Sequence, residues 1–363
     1  MAKQGIEKID KNFAVETKIN EPDVKFYDVR EAPFEVYGLY KYRTEPDFKR
    51  LPDEIGQNVN PGVAELYLNT SGGRVRFSTN SQYVAIQADM PVIGRFPHMP
   101  LTGSAGFDLY VDDPVTGVSR YHRTFKPDYN LKDGYESVVK FDDRKLRHFT
   151  IHFPTYSRVR TLHIGLQNDA VLGEGMKYRD LLPIIFYGSS ITQGGCVSRP
   201  GNIYQSVISR RLGMDYINLG FSGSGRAEDV IVDYMAGLKM SAFVADYDHN
   251  APNAEHLRNT HCKMYQKIRA ANPNLPYIMI SRVDFDCSYE KNLERRDVIY
   301  ETYRYALSQG DKNVYFIDGE GVFRGEDFDM CTVDGTHPND HGFALMAKAI
   351  GDELVRAFTQ KLF

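Results

Sequence analysis

The sequence predicts an α/β protein in which an antiparallel β-sandwich domain precedes a five-stranded, parallel, doubly wound sheet. The first half of the chain consists of short runs of β-branched and aromatic residues separated by turn residues, without convincing helical periodicity. In the second half, apolar strands alternate with longer segments that repeat apolar residues at helical spacing. The first pattern is typical of an antiparallel sandwich. The second is typical of a parallel sheet with helices on both faces.

The predicted sandwich is jelly-roll-like and occupies residues 1–175. Turn segments such as Asn69–Gly73 and Asp112–Pro114 separate its short strands, which is the usual pattern of an all-β domain. The predicted strands are Val24–Val29, Phe34–Tyr40, Ala64–Leu68, Val75–Phe77, Tyr83–Ala88, Gly106–Val111, Ser137–Phe141, Phe149–Phe153 and Thr161–Gly165.

The second predicted domain, residues 176–363, follows a polar, glycine-containing boundary at Gln167–Arg179. Its predicted strands are Pro183–Tyr187, Tyr216–Leu219, Ala242–Tyr247, Tyr277–Ser281 and Asn313–Ile317. Its predicted helices are Ile203–Leu212, Glu228–Leu238, Glu255–Ala271, Lys291–Gln309 and Asp340–Phe358. Strands that alternate with helices in this way pair in parallel.

The composition is that of a globular protein and argues against two classes of partner. Of the 363 residues, 42% are hydrophobic and 25% are charged, and the net charge is −4. Since no basic stripe stands out, we expect no nucleic-acid partner. The longest apolar runs, such as Leu181–Tyr187, are far shorter than the roughly 20 residues that span a bilayer, so we expect no membrane partner. The oligomeric state stays open.

The N-terminus and the cysteines bear on the compartment. The first 13 residues contain early lysines but no apolar stretch, so they do not form a secretory signal. We expect a cytoplasmic protein, or a periplasmic or secreted one if a signal has been removed. Cysteines 196, 262, 287 and 331 are widely spaced. This spacing indicates reduced, partly buried thiols rather than a zinc site or a disulfide framework.

Polar segments follow the predicted parallel strands at their carboxyl ends. They are Gly188–Gly195, Asn218–Gly223, Asp248–Asn250 and Asp334–Pro338. In an open parallel sheet, the reactive groups collect in the loops beyond the carboxyl ends of the strands. The sequence therefore predicts a functional site along this rim.

Three side chains of the rim meet the requirements of nucleophilic catalysis. A serine hydroxyl needs an adjacent base, which His337 can provide for Ser190. The imidazole in turn needs a carboxylate that fixes its tautomer and stabilises its cation. Asp334 precedes the histidine by three residues, so one short loop can bring both side chains to the site.

The tetrahedral intermediate of acyl transfer carries an oxyanion that needs fixed hydrogen-bond donors. Gly223 can offer its backbone N–H because no side chain blocks the approach. Asn250 can offer its side-chain amide, and the backbone N–H of Ser190 is a third donor. The predicted oxyanion hole therefore consists of Ser190, Gly223 and Asn250.

Other interpretations of these segments are possible. A serine after a strand is often a turn or helix-cap residue, and Ser189 fits that role. Asp246, Asp248 and His249 resemble a metal cluster, but residues that alternate along a strand end do not easily face one ion. The glycine pair after Ser190 lacks the G-K-[ST] sequence of a phosphate loop. We expect neither a metal nor a cofactor.

In their order along the chain, these segments resemble the sequence blocks of SGNH (GDSL) hydrolases. G-S-S-I-T at 188–192 is similar to the first block, N-x-x-x-S-G at 218–223 to the second, and D-x-x-H at 334–337 to the last. The resemblance implies a flavodoxin-like fold and a serine hydrolase. It also implies that the positions matching the family's site residues are Ser190, Gly223, Asn250, Asp334 and His337.

The resemblance extends to the first half of the chain. R-L-P at 50–52, the run 70–81 and G-F-D-L-Y at 106–110 resemble the N-terminal domain of one branch of these acylhydrolases, named for its Gly-x-Asp-Leu-Tyr motif. Two positions depart from the family pattern. Ser189 stands where the family usually has Asp, and Asp248-His-Asn-Ala251 replaces Gly-x-Asn-Asp.

The resemblance implies a serine esterase that removes short acyl groups, with O-acetyl carbohydrate as the leading substrate. A lipase-like or thioesterase-like acylhydrolase is one alternative, although no apolar amphipathic helix near the blocks could serve as a lid. A non-catalytic carbohydrate-binding protein on the same scaffold is another, since fold does not imply function.

The N-terminal domain is expected to pack against the hydrolase domain, with a loop near the rim. Five strands wound with helices can form a core of their own, so a fixed extra domain should add stability or substrate contacts. Its loops Arg95–Pro100 and Tyr121–Arg123 contain polar, aromatic and basic residues. Such residues suit hydroxyl-rich ligands, but most polar loops are only solvated surface, and that alternative stays open.

Overall fold

The computed structural model describes residue 10, residues 18–325 and residues 328–360. The expected cellular compartment rests on residues 1–13, and of these only residue 10 is among the described residues. The strands are β1 Val24–Asp28, β2 Glu35–Tyr37, β3 Arg74–Thr79, β4 Tyr83–Asp89, β5 Phe107–Asp112, β6 Ser119–Phe125, β7 Gly134–Lys140, β8 Arg147–His152, β9 Thr161–Gln167, β10 Leu172–Glu174, β11 Ile184–Gly188, β12 Tyr216–Gly220, β13 Ala242–Asp246, β14 Tyr277–Ile280 and β15 Val314–Ile317.

The α-helices follow the same chain order, and none of those described is apolar over enough of its length to cross a bilayer. They are α1 Asp53–Gly56, α2 Pro61–Leu66, α3 Leu101–Ser104, α4 Ser190–Gln193, α5 Tyr204–Leu212, α6 Asp229–Ala236, α7 Ala254–Ala271, α8 Tyr289–Ser308 and α9 Asp340–Gln360.

The strands of the first half form two antiparallel sheets that share one core. One sheet has the order β1-β9-β4-β7, and the other has the order β10-β3-β8-β5-β6, with β2 paired to β3. Successive side chains of a strand point to opposite faces, so each sheet turns one face inward. The inward side chains of the two sheets include Phe77, Ile86, Phe107, Phe149 and Ile164, all fully buried. The predicted antiparallel sandwich is confirmed.

One predicted strand of this half is wrong. Residues Ala64–Leu68 lie mostly in helix α2, because the side chain of Asn60 caps that helix by accepting the N–H of Val63 at 2.9 Å. Pro61 occupies the first helical turn, where its missing N–H costs nothing. The short helices α1 and α3 were also not expected from the sequence.

Two observed strands carry little signal in the sequence. β6 and β10 lie at the two ends of their sheet. Charged and polar residues occupy much of β6, and β10 has only three residues. Edge strands are commonly short or charged, which hides the alternation of apolar residues.

The strands of the second half form the predicted parallel sheet, with the order β12-β11-β13-β14-β15. Gly188 pairs with Gly220 on one side and with Asp246 on the other, so three strands end at the same level. Ile185 and Tyr187 point into the apolar core on one face. Ile184 and Phe186 point into a second core on the opposite face.

Helices cover both faces of this sheet. Apolar side chains of α6, α7 and α8 belong to the first core, and those of α5 and α9 belong to the second. All five strands and five helices begin and end within two residues of the predicted positions. The predicted doubly wound architecture is confirmed. The sequence could predict it because the spacing of apolar residues within each segment indicates a helix or a strand.

A buried guanidinium joins the two halves of the chain. Arg50 donates to the carbonyls of Leu66 (2.6 Å) and Asn69 (2.9 Å) in the first half. It also donates to the carbonyls of Asn218 (3.2 Å) and Gly220 (2.6 Å) at the end of β12. Burial lowers the pKa of Arg50 to about 9. Among the described residues, no carboxylate pairs with it, so its charge is compensated by the four peptide carbonyls and by the ring of Phe221, whose centroid lies 4.6 Å from the guanidinium carbon.

The Gly-x-Asp-Leu-Tyr segment forms a second contact between the halves. Both oxygens of the fully buried Asp108 accept the N–H of Gly201, at 3.0 and 3.2 Å. Arg199 Nε lies 3.5 Å from the same carboxylate. Burial raises the pKa of Asp108 to about 7, although the nearby arginine opposes this shift. A Cβ at position 201 would come within 2.7 Å of Asp108, so glycine permits the close approach.

Replacing the central guanidinium tests this junction. Arg50→Leu should lower the free energy of unfolding by about 3 kcal/mol, since it removes four hydrogen bonds of a charged donor, although the carbonyl of Leu66 keeps the N–H of Asn69 as a donor at 3.1 Å. Chemical denaturation of the full chain measures the loss. Arg144→Leu is the control, because its ion pair with Asp169 is largely exposed and worth less than about 1 kcal/mol. Equal losses in the two variants would show that the buried bonds add no stability.

Candidate active site

Ser190 begins helix α4 immediately beyond the end of β11. The neighbouring Ser189 caps this helix, since its Oγ accepts the N–H of Ile191 at 3.1 Å. Gly188 lets the helix lie close to the sheet, because a Cβ there would be 2.1 Å from Thr192 Oγ1. The turn therefore places Ser190 at the rim with 9% of its surface exposed.

The carbonyl of Ser190 accepts three hydrogen bonds that hold the turn. The N–H groups of Gly194 and Gly195 donate to it at 3.0 and 2.8 Å. The hydroxyl of Tyr156, a residue of the first half, donates at 3.2 Å. The backbone of the candidate nucleophile is thus held by both halves of the chain.

The side chain of Ser190 meets a histidine from the last loop before α9. Ser190 Oγ lies 2.9 Å from His337 Nε2, and His337 Nδ1 lies 2.8 Å from Asp334 Oδ2. A carboxylate only accepts, so Nδ1 carries the proton and Nε2 has a lone pair for the serine hydroxyl. The structure therefore brings the three predicted residues into one hydrogen-bonded chain.

Asp334 is held as an anion by its own loop. Its second oxygen, Oδ1, accepts the backbone N–H groups of His337 (2.7 Å) and Thr336 (3.1 Å). Partial burial opposes ionisation, but these backbone bonds and the imidazole lower the pKa of Asp334 to about 2. A fixed anion at Nδ1 is what an imidazole requires when it gains a proton.

The three predicted oxyanion donors lie in loops beyond β11, β12 and β13. Gly223 has φ of +65° and empty space where a Cβ would be. Among the described residues, the N–H groups of Ser190 and Gly223 have no acceptor. The Asn250 amide gives one hydrogen to the carbonyl of Phe221 at 2.7 Å, which leaves its second hydrogen for a ligand. Two N–H groups and one amide hydrogen are therefore available in these loops.

The residues that resemble a metal cluster each have a separate partner. The buried Asp246 accepts from the hydroxyls of Thr192 and Tyr204, both at 3.0 Å. Burial raises its pKa to about 6. Asp248 pairs with a buried arginine of α8, and His249 Nε2 lies 2.9 Å from Asp284. The three side chains therefore stabilise the sheet and the third loop instead of converging.

A cavity of about 520 Å³ opens beside Asp334 and Gly335. Ser190 and His337 do not line it, so it extends away from the serine on the carboxylate side of the site. Aromatic and acidic side chains form much of its wall, including Phe285, Phe323, Phe328, Asp286, Glu320 and Asp329.

One of the two predicted N-terminal loops reaches the histidine. The ring of His98 lies 5.8 Å from that of His337, and Phe96 packs edge-on against Tyr156 at 5.1 Å between ring centroids. The other predicted loop is wrong, since Tyr121–Arg123 lies within strand β6, where Tyr121 stacks under Arg199 at 3.9 Å. The loop around residue 98 is therefore part of the rim.

Sequence reasoning missed Tyr156 and the bridging role of Arg50. Tyr156 is one of 24 tyrosines, and no local pattern distinguishes it. Its role depends on a contact with a residue 34 positions away. Only the packing of the two halves makes that contact visible.

Comparison with known proteins gave matches over both halves of the chain. Residues 182–354 match the GDSL-like lipase/acylhydrolase family, and residues 24–172 match the N-terminus of SGNH-hydrolase-type esterases. Comparison with curated proteins gave no match.

Solved structures share the fold. A putative GDSL-like lipase from Bacteroides ovatus has 27% identity and a TM-score of 0.83, over 93% of this chain and 98% of its own. A salicylyl-acyltransferase from a tetracycline biosynthetic pathway has 20% identity and a TM-score of 0.75, over the same shares. A family two carbohydrate esterase from Cellvibrio japonicus has 11% identity and a TM-score of 0.61, over 92% and 98%.

The two family matches follow each other along the chain in the order that the motifs predict. The parallel sheet presents the serine, histidine and aspartate at one rim, as the resemblance implies. The chain belongs to the SGNH-type, GDSL-like acylhydrolases, in the branch whose members carry the Gly-x-Asp-Leu-Tyr N-terminal region.

Proposed function

We propose that this chain is a serine esterase that removes short acyl groups, chiefly O-acetyl from carbohydrate, through an acyl-Ser190 intermediate. The observation that carries the proposal is the hydrogen-bonded chain from Ser190 through His337 to Asp334, with distances of 2.9 and 2.8 Å. This arrangement activates a hydroxyl that would otherwise be a weak nucleophile.

In the first step, the Ser190 hydroxyl attacks the ester carbonyl and gives its proton to His337 Nε2. Asp334 holds Nδ1–H and stabilises the imidazolium. The new oxyanion accepts hydrogen bonds from the N–H groups of Ser190 and Gly223 and from the Asn250 amide. Collapse of the intermediate breaks the bond to the alcohol, which takes the proton from His337 as it leaves.

In the second step, water attacks the acyl group on Ser190 and gives a proton to His337. The same donors stabilise the second oxyanion. When the bond to Ser190 Oγ breaks, His337 returns the proton to the serine, and the short carboxylic acid leaves. The enzyme is then in its starting state.

Two features support a carbohydrate ester. The cavity beside Asp334 combines phenylalanine rings with carboxylates, and these groups suit the apolar faces and hydroxyl donors of a sugar. The fold is also that of the Cellvibrio japonicus carbohydrate esterase. A lipase-like activity remains the second candidate, because Phe285, Phe323 and Phe328 could also contact an acyl chain.

Removal of the nucleophile should abolish turnover. Ser190→Ala should reduce kcat on p-nitrophenyl acetate by about 10⁴–10⁶-fold, while circular dichroism shows an intact fold. The control is Ser189→Ala, which removes a helix cap and should cost about 1 kcal/mol of stability with turnover retained. Loss of turnover in the control alone would identify the other serine as the nucleophile.

Removal of the side-chain oxyanion donor should affect kcat more than KM. Asn250→Ala should lower kcat by about 10²–10³-fold, since the donor acts mainly on the developing negative charge. Steady-state kinetics on the same ester separates the two constants. The control is Asn253→Ala, which removes only the cap of helix α7. An unchanged kcat in Asn250→Ala would exclude the amide from the oxyanion hole.

The acyl preference should be short. Turnover of p-nitrophenyl acetate should exceed that of the octanoate, because each methylene without a pocket forfeits up to about 0.8 kcal/mol of burial. Release of acetate from acetylated xylan or acetylated monosaccharides then tests the carbohydrate. Faster cleavage of the octanoate would favour the lipase-like activity.

A further inference from the structure

Two side chains with metal-binding atoms lie beside His337 and have no part in the proposed chemistry. They are His98, from the N-terminal rim loop, and Cys196, from the turn after the nucleophile helix. One ligand atom from each of these residues and from His337 lies within 4.8 Å of the others. Residues from three distant parts of the chain thus present two imidazoles and a thiol to one point.

The two additional side chains are free to bind a ligand. Among the described residues, neither ring nitrogen of His98 nor the sulfur of Cys196 has a hydrogen-bond partner. His98 is exposed, so its ring can turn, whereas Cys196 is buried with 4% of its surface accessible. Cys196 also has a φ of +72°, a conformation that non-glycine residues seldom adopt outside turns and functional sites.

We propose that His98, Cys196 and His337 form an inhibitory site for a soft divalent cation, with Zn²⁺ as the best match. Zinc takes imidazole and thiolate ligands at about 2.0–2.3 Å in a tetrahedral arrangement, which places the ligand atoms about 3.3–3.6 Å apart. The ligand atoms must therefore approach one another by about 1 Å, and the exposed His98 has the most freedom to move. Three protein ligands leave the fourth position for water.

The hydrogen bonds of His337 make it a suitable ligand and explain the inhibition. Its Nδ1–H is donated to Asp334, so the lone pair available to a cation is on Nε2. A carboxylate behind a ligating imidazole orients it and strengthens its binding. Nε2 is also the atom that accepts the Ser190 hydroxyl. A cation on this atom therefore displaces the serine, and the thiol proton of Cys196 passes to solvent.

The predicted inhibition of turnover rests on the proposed function, whereas the predicted binding of the metal does not. Zn²⁺ should bind the full chain with one equivalent at this site and stop the acylation of Ser190. A chelator should restore turnover. The cation acts here as an inhibitor, not as a participant in the ester chemistry.

Binding is measured first, without reference to activity, by titrating Zn²⁺ against a chromogenic chelator. Co²⁺ serves as a spectroscopic probe, since a thiolate ligand gives a charge-transfer band in the near ultraviolet. His98→Ala and Cys196→Ser should each weaken Zn²⁺ binding by at least about tenfold, or about 1.4 kcal/mol. His341→Ala and Cys262→Ser are the matched controls, because these residues lie outside the cluster and outside the cavity beside Asp334.

Inhibition is measured second, on p-nitrophenyl acetate and by phosphonate labelling of Ser190. The half-inhibitory Zn²⁺ concentration should rise at least about tenfold in His98→Ala and Cys196→Ser, in step with Kd, and stay unchanged in the controls. Equal Zn²⁺ affinity in all variants, a Co²⁺ spectrum without the thiolate band, or bound Zn²⁺ that leaves labelling unchanged would overturn the site. A metal-free protein that neither hydrolyses esters nor reacts with phosphonate would instead overturn the proposed function, and the binding titration would still decide the site.

Discussion

The buried guanidinium of Arg50 is the interaction on which the joint arrangement of the two halves depends. It binds two carbonyls of the first half and two at the end of β12, one of them 170 residues away. With a pKa of about 9, it stays charged at neutral pH. A buried charge without a carboxylate is tolerated only where several dipoles point at it. A shift of one half against the other would remove two of the four carbonyls that compensate this charge.

Arg50 also affects the position of the candidate oxyanion donor Gly223, because Gly220 is the last residue of β12 before the loop that contains Gly223. Arg50 holds the carbonyl of Gly220 at 2.6 Å, and Tyr156 holds that of Ser190 at 3.2 Å. The first half also completes both apolar cores of the parallel sheet. Tyr67 belongs to one core and Tyr156 to the other. The rim geometry is therefore a property of the whole chain.

The third rim loop shows how a departure from the family pattern is accommodated. Asp248 and His249 precede the amide of Asn250, where the family usually has glycine. Arg295 of α8 bonds the Asp248 carboxylate at 2.8 Å, and Asp284 bonds the His249 ring at 2.9 Å. Side-chain hydrogen bonds that each involve a carboxylate, Arg295–Asp248 and Asp284–His249, thus hold this loop. The amide keeps its bond to the neighbouring rim loop as a result.

The sequence by itself determined the order of the layers, the five parallel strands with their helices, and the rim on which Ser190, Asn250 and His337 lie. These follow from apolar periods inside single segments and from the rule that parallel strands end at one edge. Tertiary structure alone decided the edge strands, the contact of Tyr156 with the nucleophile and the approach of His98 to His337. Each of these depends on a contact with a residue far along the chain, and a local sequence pattern does not identify that residue.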